Sequence, residues 1–222
     1  MNSLAWSLIR TTERAALAAW PQTGCGDKNA IDDLALSLSD NLRNVARALG
    51  KPLSELRMVT LDKPRSQAAI QEAAGLGVKV FSLPDGDVAA SVLTCQPDNV
   101  YDLMFTVGGA PEGVLSACAV RAMAGDMQAE LIDYCQAKGE CDEHRRIATD
   151  ERRRCAQMGV AVNRLYRLDE LVRSQDILFS ATGVTGGDLL HGISRRDDGV
   201  RTQTMLINGI DRTCNIINSL HS

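Results

Sequence analysis

Three short strings carry residue types suited to a phosphorylated ligand: Lys63-Pro64-Arg65, Asp85-Gly86-Asp87 and Gly108-Gly109-Ala110-Pro111-Glu112-Gly113. Proline fixes its own backbone angle and so fixes where the two flanking cations point. An arginine grips phosphate in a planar fork and a lysine meets it as a point charge. The same pair also suits an ordinary solvated loop. The two carboxylates around Gly86 can accept hydrogen bonds from sugar hydroxyls or hold a divalent cation, and Asp87 equally suits a helix N-cap. Gly108 and Gly109 would let backbone approach a ligand closely. Pro111 fits the first turn of a following helix, whose N-terminus favours an anion. Glu112 would then either hold a metal ion beside that anion or complement the helix dipole. The string is not a Walker A loop, because it lacks the GKS or GKT ending. A weaker candidate is the glycine-rich turn Thr182-Gly183-Val184-Thr185-Gly186-Gly187.

These strings need elements to hold them. Alternating apolar residues predict strands over 58–61, 78–83, 103–107 and 176–181, each followed by a polar or glycine-rich loop. Helical patterns over 67–74, 88–93 and 114–123 follow the first three strands. Strand, loop and helix in alternation imply a mostly parallel sheet covered by helices. In such sheets ligands sit outside the carboxyl ends of the strands, where every string above falls. Residues 3–20 read as an amphipathic helix stopped by Pro21, with Leu4, Leu8, Ala15 and Ala19 near one face. A second helix is expected within 30–49, capped by Ser39 or Asp40 and ended by Gly50. A charged helix is expected over 143–158. Two strands over 202–207 and 213–217 should join through Gly209 and Asp211. No strand is evident in the first 55 residues.

Bulk properties exclude several classes. The 222 residues carry 45% hydrophobic and 23% charged residues and a net charge of −4. These are values of a globular chain that can bury a core without staples. Both signs of charge are spread along it, and no basic stripe or aromatic platform suggests a nucleic-acid partner. The seven cysteines show no CxxC spacing and read as reduced thiols of a cytoplasmic protein. Arg10, Glu13 and Arg14 interrupt the N-terminal apolar run, so it reads as neither signal peptide nor membrane span. His144, His191 and His221 stand far apart without ligand spacing and read as surface residues.

Taken together, the strings resemble the class II fructose-1,6-bisphosphatases of bacteria. The matching text is RTTERAALAAW, GCGDKNAID, SDNLRNVARALGKPLSELRMVTLDKPR, GVKVFSLPDGDVAASVLTC, GGAPEGVLSACAVRAMAGDMQAEL, ILFSATGVTGGDLL and TQTMLI, in family order over nearly the whole chain. The resemblance implies an α/β protein with the layered fold of the lithium-sensitive sugar phosphatases. It also implies a metal-dependent phosphatase of carbohydrate metabolism and gluconeogenesis. Such an enzyme uses manganese or magnesium to hydrolyse the 1-phosphate of fructose 1,6-bisphosphate, giving fructose 6-phosphate and phosphate. By the same resemblance Lys63, Pro64, Arg65, Asp85, Gly86, Asp87 and Gly109 contact substrate, and Asp32 and Glu112 are metal ligands.

The chain also departs from that pattern. Between GDKNAID and SDNLRNV the family carries a stretch of roughly a hundred residues, a domain-scale length, that is not found here. It holds the GEGE and DPIEGT motifs, which supply most metal-binding carboxylates and the threonine that orients the attacking water. The join falls near 31–38. The expected organisation is therefore a remnant of the N-terminal metal-binding domain over 1–36 and an α/β sugar-phosphate-binding domain over 37–222. The expected behaviour is binding of the sugar bisphosphate with little or no hydrolysis and weakened metal binding. The alternatives are a non-catalytic sugar-phosphate-binding protein, a partner subunit of an intact relative, and the product of an internal deletion. Oligomeric state, including a homo-oligomer, is left open.

Overall fold

The computed structural model describes residues 34–96 and 101–222, together with the backbone of residues 3–10. Two sheets and the helices between and beside them make up the described chain. The first sheet has seven strands. Its centre is β1 (Ser3–Arg10), and its parallel part is β2 (Arg57–Leu61), β3 (Lys79–Leu83) and β4 (Leu103–Met104). Strand β2 lies between β3 and β4, parallel to both. The remaining strands are β5 (Gly108–Gly109), β6 (Asp126–Glu130) and β7 (Leu165–Arg167). Strand β1 runs antiparallel to β4, β5 and β6, and β6 antiparallel to β7. The sheet is therefore mixed, not mostly parallel. The expected helix over 3–20 is likewise replaced at its start by β1, while residues 11–33 lie outside the described part.

Alternate residues of the parallel strands feed two different cores. Met58 and Leu103 are fully buried among Leu42, Val45 and Ala73, residues of α1 (Leu38–Ala48) and α2 (Gln67–Gly75). Their neighbours Val59 and Met104 point to the opposite face, against Ala90, Ala117 and Val120 of α3 (Asp87–Cys95) and α4 (Ala110–Ala122). This is the period-two pattern of a strand buried on both sides. Helix α1 begins two to three residues earlier than its expected caps. Ser37 occupies the N-cap position and its Oγ accepts from Asp40 N at 3.1 Å, so Ser39 and Asp40 lie inside the first turn.

The second sheet is antiparallel, built from β8 (Leu178–Thr182), β9 (Ser194–Arg196), β10 (Gly199–Asn208) and β11 (Thr213–His221). The strand expected over 176–181 does not join the parallel strands; as β8 it pairs with β10 in antiparallel register. Strands β10 and β11 form the expected hairpin, with β10 longer than expected at both ends and β11 at its C-terminal end. Met205 and Ile207 of β10 are buried against Val92, Ala119 and Ala122, so α3 and α4 are sandwiched between the two sheets. The layers thus run α1 and α2, first sheet, α3 and α4, second sheet. Two short helices, α5 (Tyr134–Lys138) and α7 (Leu168–Leu171), flank the charged helix α6 (Asp142–Gln157) in sequence. Among the described residues no helix is long and apolar enough to cross a membrane.

Candidate functional site

Parallel pairing places the exits of β2, β3 and β4 on one edge of the first sheet. The register Leu61↔Leu83 ends β2 and β3 level with each other. Asp62 N then donates to Leu83 O at 2.7 Å, tying the two exits together. The chain after β2 turns through a short 3-10 helix, Pro64–Ser66, with Pro64 in its first turn. That turn faces both neighbouring loops. Lys63 Nζ lies 3.5 Å from Asp85 Oδ1 in the loop after β3. Arg65 Nε donates to Val107 O in the segment after β4. The Lys63 pair is largely open to water on the Asp85 side, whose carboxylate is 87% exposed. Exposed pairs of this kind contribute ~1 kcal/mol or less, so a ligand phosphate could compete for Lys63 at little cost.

The acidic residues meet from two helix starts. Gly86 takes a left-handed φ of 93° and occupies the N-cap position of α3. That conformation suits glycine, so Gly86, not Asp87, sits at the cap, and Asp87 becomes the first helical residue. Its Oδ1 accepts from Val88 N at 3.1 Å. Burial raises the Asp87 carboxyl above its ordinary value of 3.8; the Val88 hydrogen bond opposes this, while the charges of Glu112 and then Asp85 push it further up. Glu112 lies in the first turn of α4, and its carboxylate folds back over Gly109, occupying the place a Cβ there would need. The two helices are pinned side by side at their midpoints, where Ser91 Oγ donates to Ser116 Oγ at 3.0 Å.

Lys63, Arg65, Asp85, Asp87, Gly109 and Glu112 are therefore brought to one edge, with Pro64 and Gly86 shaping the turns between them. Asp32 lies outside the described residues. Three hydroxyls in the same strand ends and turn, Thr60 Oγ1, Ser66 Oγ and Thr106 Oγ1, are buried with no hydrogen-bond partner among the described residues. A buried polar group left unpaired costs ~1–3 kcal/mol, and water or a bound group normally meets such atoms. No sequence pattern marks them out, since a lone Ser or Thr near a strand end is commonplace.

The fourth string behaves differently. The turn after β8 belongs to the second sheet, and two of its glycine amides are spent on neighbouring backbone carbonyls. Gly183 N donates to Gln203 O at 3.0 Å and Gly187 N to Leu190 O at 3.1 Å. A Cβ at Gly183 would strike the His191 carbonyl. Its glycines thus serve close backbone packing.

The metal question turns on the donor set. A hard divalent ion takes about six oxygen ligands. Asp87 and Glu112 offer a carboxylate pair whose mutual repulsion a cation would relieve, but Asp85 is turned toward Lys63. Among the described residues no group of three His, Cys, Asp or Glu side chains gathers closely enough to hold an ion. The described donors do not fit a two-ion centre.

Residues 33–221 match the family described as bacterial fructose-1,6-bisphosphatase, glpX-encoded. The chain is similar to fructose-1,6-bisphosphatase 2 class 2 of Escherichia coli K12, at 51% identity over 321 aligned positions that take in 100% of both chains. It is 52% identical over 198 residues to fructose-1,6-bisphosphatase 1 class 2 of the same strain, a match covering 89% of this chain and 59% of that one. It is 50% identical over 191 residues to fructose-1,6-bisphosphatase class 2 of Haemophilus influenzae, covering 86% of this chain and 57% of the relative.

Proposed function

We infer that this chain, which belongs to the bacterial glpX-encoded fructose-1,6-bisphosphatase family, holds a sugar bisphosphate, fructose 1,6-bisphosphate, at the loops leaving β2, β3 and β4. The convergence of Lys63, Arg65, Asp85, Asp87 and Gly109 on one sheet edge carries this reading. Lys63 and Arg65 supply the cation and the fork for a phosphate. Asp85 and Asp87 accept hydrogen bonds from sugar hydroxyls. Gly109, without a side chain, lets the Glu112 carboxylate fold back beside the ligand loops. The sequence of layers is in keeping with the fold of the lithium-sensitive sugar phosphatases.

The family reaction is hydrolysis of fructose 1,6-bisphosphate to fructose 6-phosphate and phosphate, with manganese or magnesium. Glu112, with Asp32, is the proposed remainder of the metal site. The match to the first Escherichia coli relative runs over 321 positions against 222 residues here, an excess of 99. We read that excess as an internal segment absent from this chain, falling between a remnant over 1–36 and the sugar-phosphate-binding part over 37–222. On this reading the ligand binds and hydrolysis is lost, because carboxylates beyond Asp32 and Glu112 are needed to fill two coordination shells. The cytoplasm, where sugar bisphosphates are made and consumed, is the proposed location.

Titration calorimetry and thermal shift with fructose 1,6-bisphosphate test the binding claim. The expected result is a saturable shift that disappears in Lys63→Ala/Arg65→Ala. No shift in the parent chain would overturn it. A phosphate-release assay with manganese tests the second claim: turnover of ~1 per second or faster, within the ordinary enzyme range, would show the chain to be a complete enzyme.

A further inference from the structure

The face of the second sheet that packs on α3 and α4 changes character along its length. On β10 the residues of that face read Ile207, Met205, Gln203 and Arg201, and the register sets Gln203 opposite Asn218 and Arg201 opposite Leu220 on β11. Ile207 and Met205 are buried against the helices. Beyond them the same face turns polar and cationic. Strand β9 continues it, pairing Arg196 with Gly199, so Arg196 shares the side of Arg201. Here the sheet borders an open cavity of about 750 Å³ whose lining includes His191, Arg196, Arg201, Gln203 and Asn218.

Three features suit this cavity to an anion. Among the described residues its lining carries two guanidinium groups and one imidazole, and no carboxylate. Its floor is held in place: Gln203 Oε1 accepts from His191 N at 2.7 Å, and Gln203 Nε2 donates to Asn218 Oδ1 at 3.0 Å. Among the described residues Arg201 ion-pairs with Asp198, 2.5 Å from its NH2 group, and that pair is half exposed. A pair so wetted holds its arginine weakly and leaves the rest of the guanidinium fork to a ligand. The volume lies within the range of small-molecule sites. We propose that this cavity binds a small organic phosphate through Arg196 and Arg201, as a second site built on a different sheet from Lys63 and Arg65.

The site is tested on the full chain carrying Lys63→Ala/Arg65→Ala, which removes the cations of the strand-end loops. Phosphorus NMR titration with inorganic phosphate and with pyrophosphate is the readout. Saturable binding tighter than ~1 mM is expected for pyrophosphate, weakening at least tenfold, the equivalent of ~1.4 kcal/mol, on adding Arg196→Gln/Arg201→Gln. Adding Arg146→Gln/Arg153→Gln instead, which removes the same charge from α6, should leave binding unchanged. Equal loss in both variants would reduce the effect to net charge and overturn the proposal, as would absence of binding in the Lys63→Ala/Arg65→Ala background. Should Arg196→Gln/Arg201→Gln unfold, the amide signals of Gln203 and Asn218 in the folded background decide. Shifts at those two residues on adding pyrophosphate support the site, and shifts confined to 62–66 and 84–112 refute it. Because the strand-end cations are already removed, failure here leaves the fructose 1,6-bisphosphate reading intact.

Discussion

Gly109 and Glu112 show how one small residue can set the position of a charged one. The Glu112 carboxylate lies where a Cβ on Gly109 would stand, so the glycine is required by the acid as much as by any ligand. Gly109→Ala must push Glu112 away from Asp87 or shift the start of α4. Overpacking of this kind costs ~1–3 kcal/mol. The expected outcome is a chain that still folds, with a lower urea midpoint and weakened manganese binding in a paramagnetic relaxation titration. Unchanged stability and unchanged manganese relaxation would show that Glu112 swings aside freely and that its position is not fixed by Gly109. The sequence presents Gly109 only as a residue that admits ligand to the backbone. Its second role depends on Glu112 curling back within the helix turn, which spacing alone does not specify.

Elements were legible in proportion to how local their causes are. Strands β2 and β3 and helices α2 and α3 follow from apolar period and turn residues within a few positions, and these carry Lys63, Arg65, Asp85 and Asp87. Strand β1 carries a sequence, SLAWSLIR, that fits both the helical and the strand period, a known ambiguity of short apolar runs; pairing with β4, β5 and β6 decides it. Strand β6, DMQAE, has poor strand propensity and becomes a strand through the partners on either side. The parallel strands are also anchored at the end opposite the site. Asp102, with its side chain 7% exposed, lies 2.6 Å from Lys51 Nζ and accepts from Arg57 N at 2.9 Å. It thus joins the beginnings of β2 and β4 to the chain after α1. Asp102→Asn keeps the shape and removes the charge, which should cost about 1.5–3 kcal/mol for charged hydrogen bonds, read from urea unfolding. In a double-mutant cycle Lys51→Met/Asp102→Asn should cost less than the sum of its parts. Strict additivity would mean the contact contributes nothing of its own.

At the scale of the whole molecule, what escaped the sequence is which sheet each strand joins. The stretch 178–182 is an apolar strand followed by a glycine-rich turn, just as β2 is followed by its loop, and the local pattern is the same. Its membership of the second sheet is set by β10, more than twenty residues further on in the register Thr182↔Thr204. The hydrophobic contact between α3, α4 and β10 then decides how firmly the second sheet is held to the first. Met205 is fully buried and Ile207 is 1% exposed, both against Val92, Ala119 and Ala122. Truncating either to alanine removes apolar contact and leaves a cavity, at ~2–5 kcal/mol. The sites place this loss unevenly. The strand-end loops rest on the first sheet and its helices, whereas the Arg196 and Arg201 cavity rests on the second. Ile207→Ala should therefore loosen β8, β10 and β11 ahead of β2 and β3, as hydrogen exchange of their amides would record, since local opening follows the weakened unit. It should also weaken pyrophosphate binding at the cavity more than fructose 1,6-bisphosphate binding at Lys63 and Arg65. Exchange rising equally in both sheets, with both ligands weakened alike, would mean that the layers unfold as one cooperative unit and that the two sites share its fate.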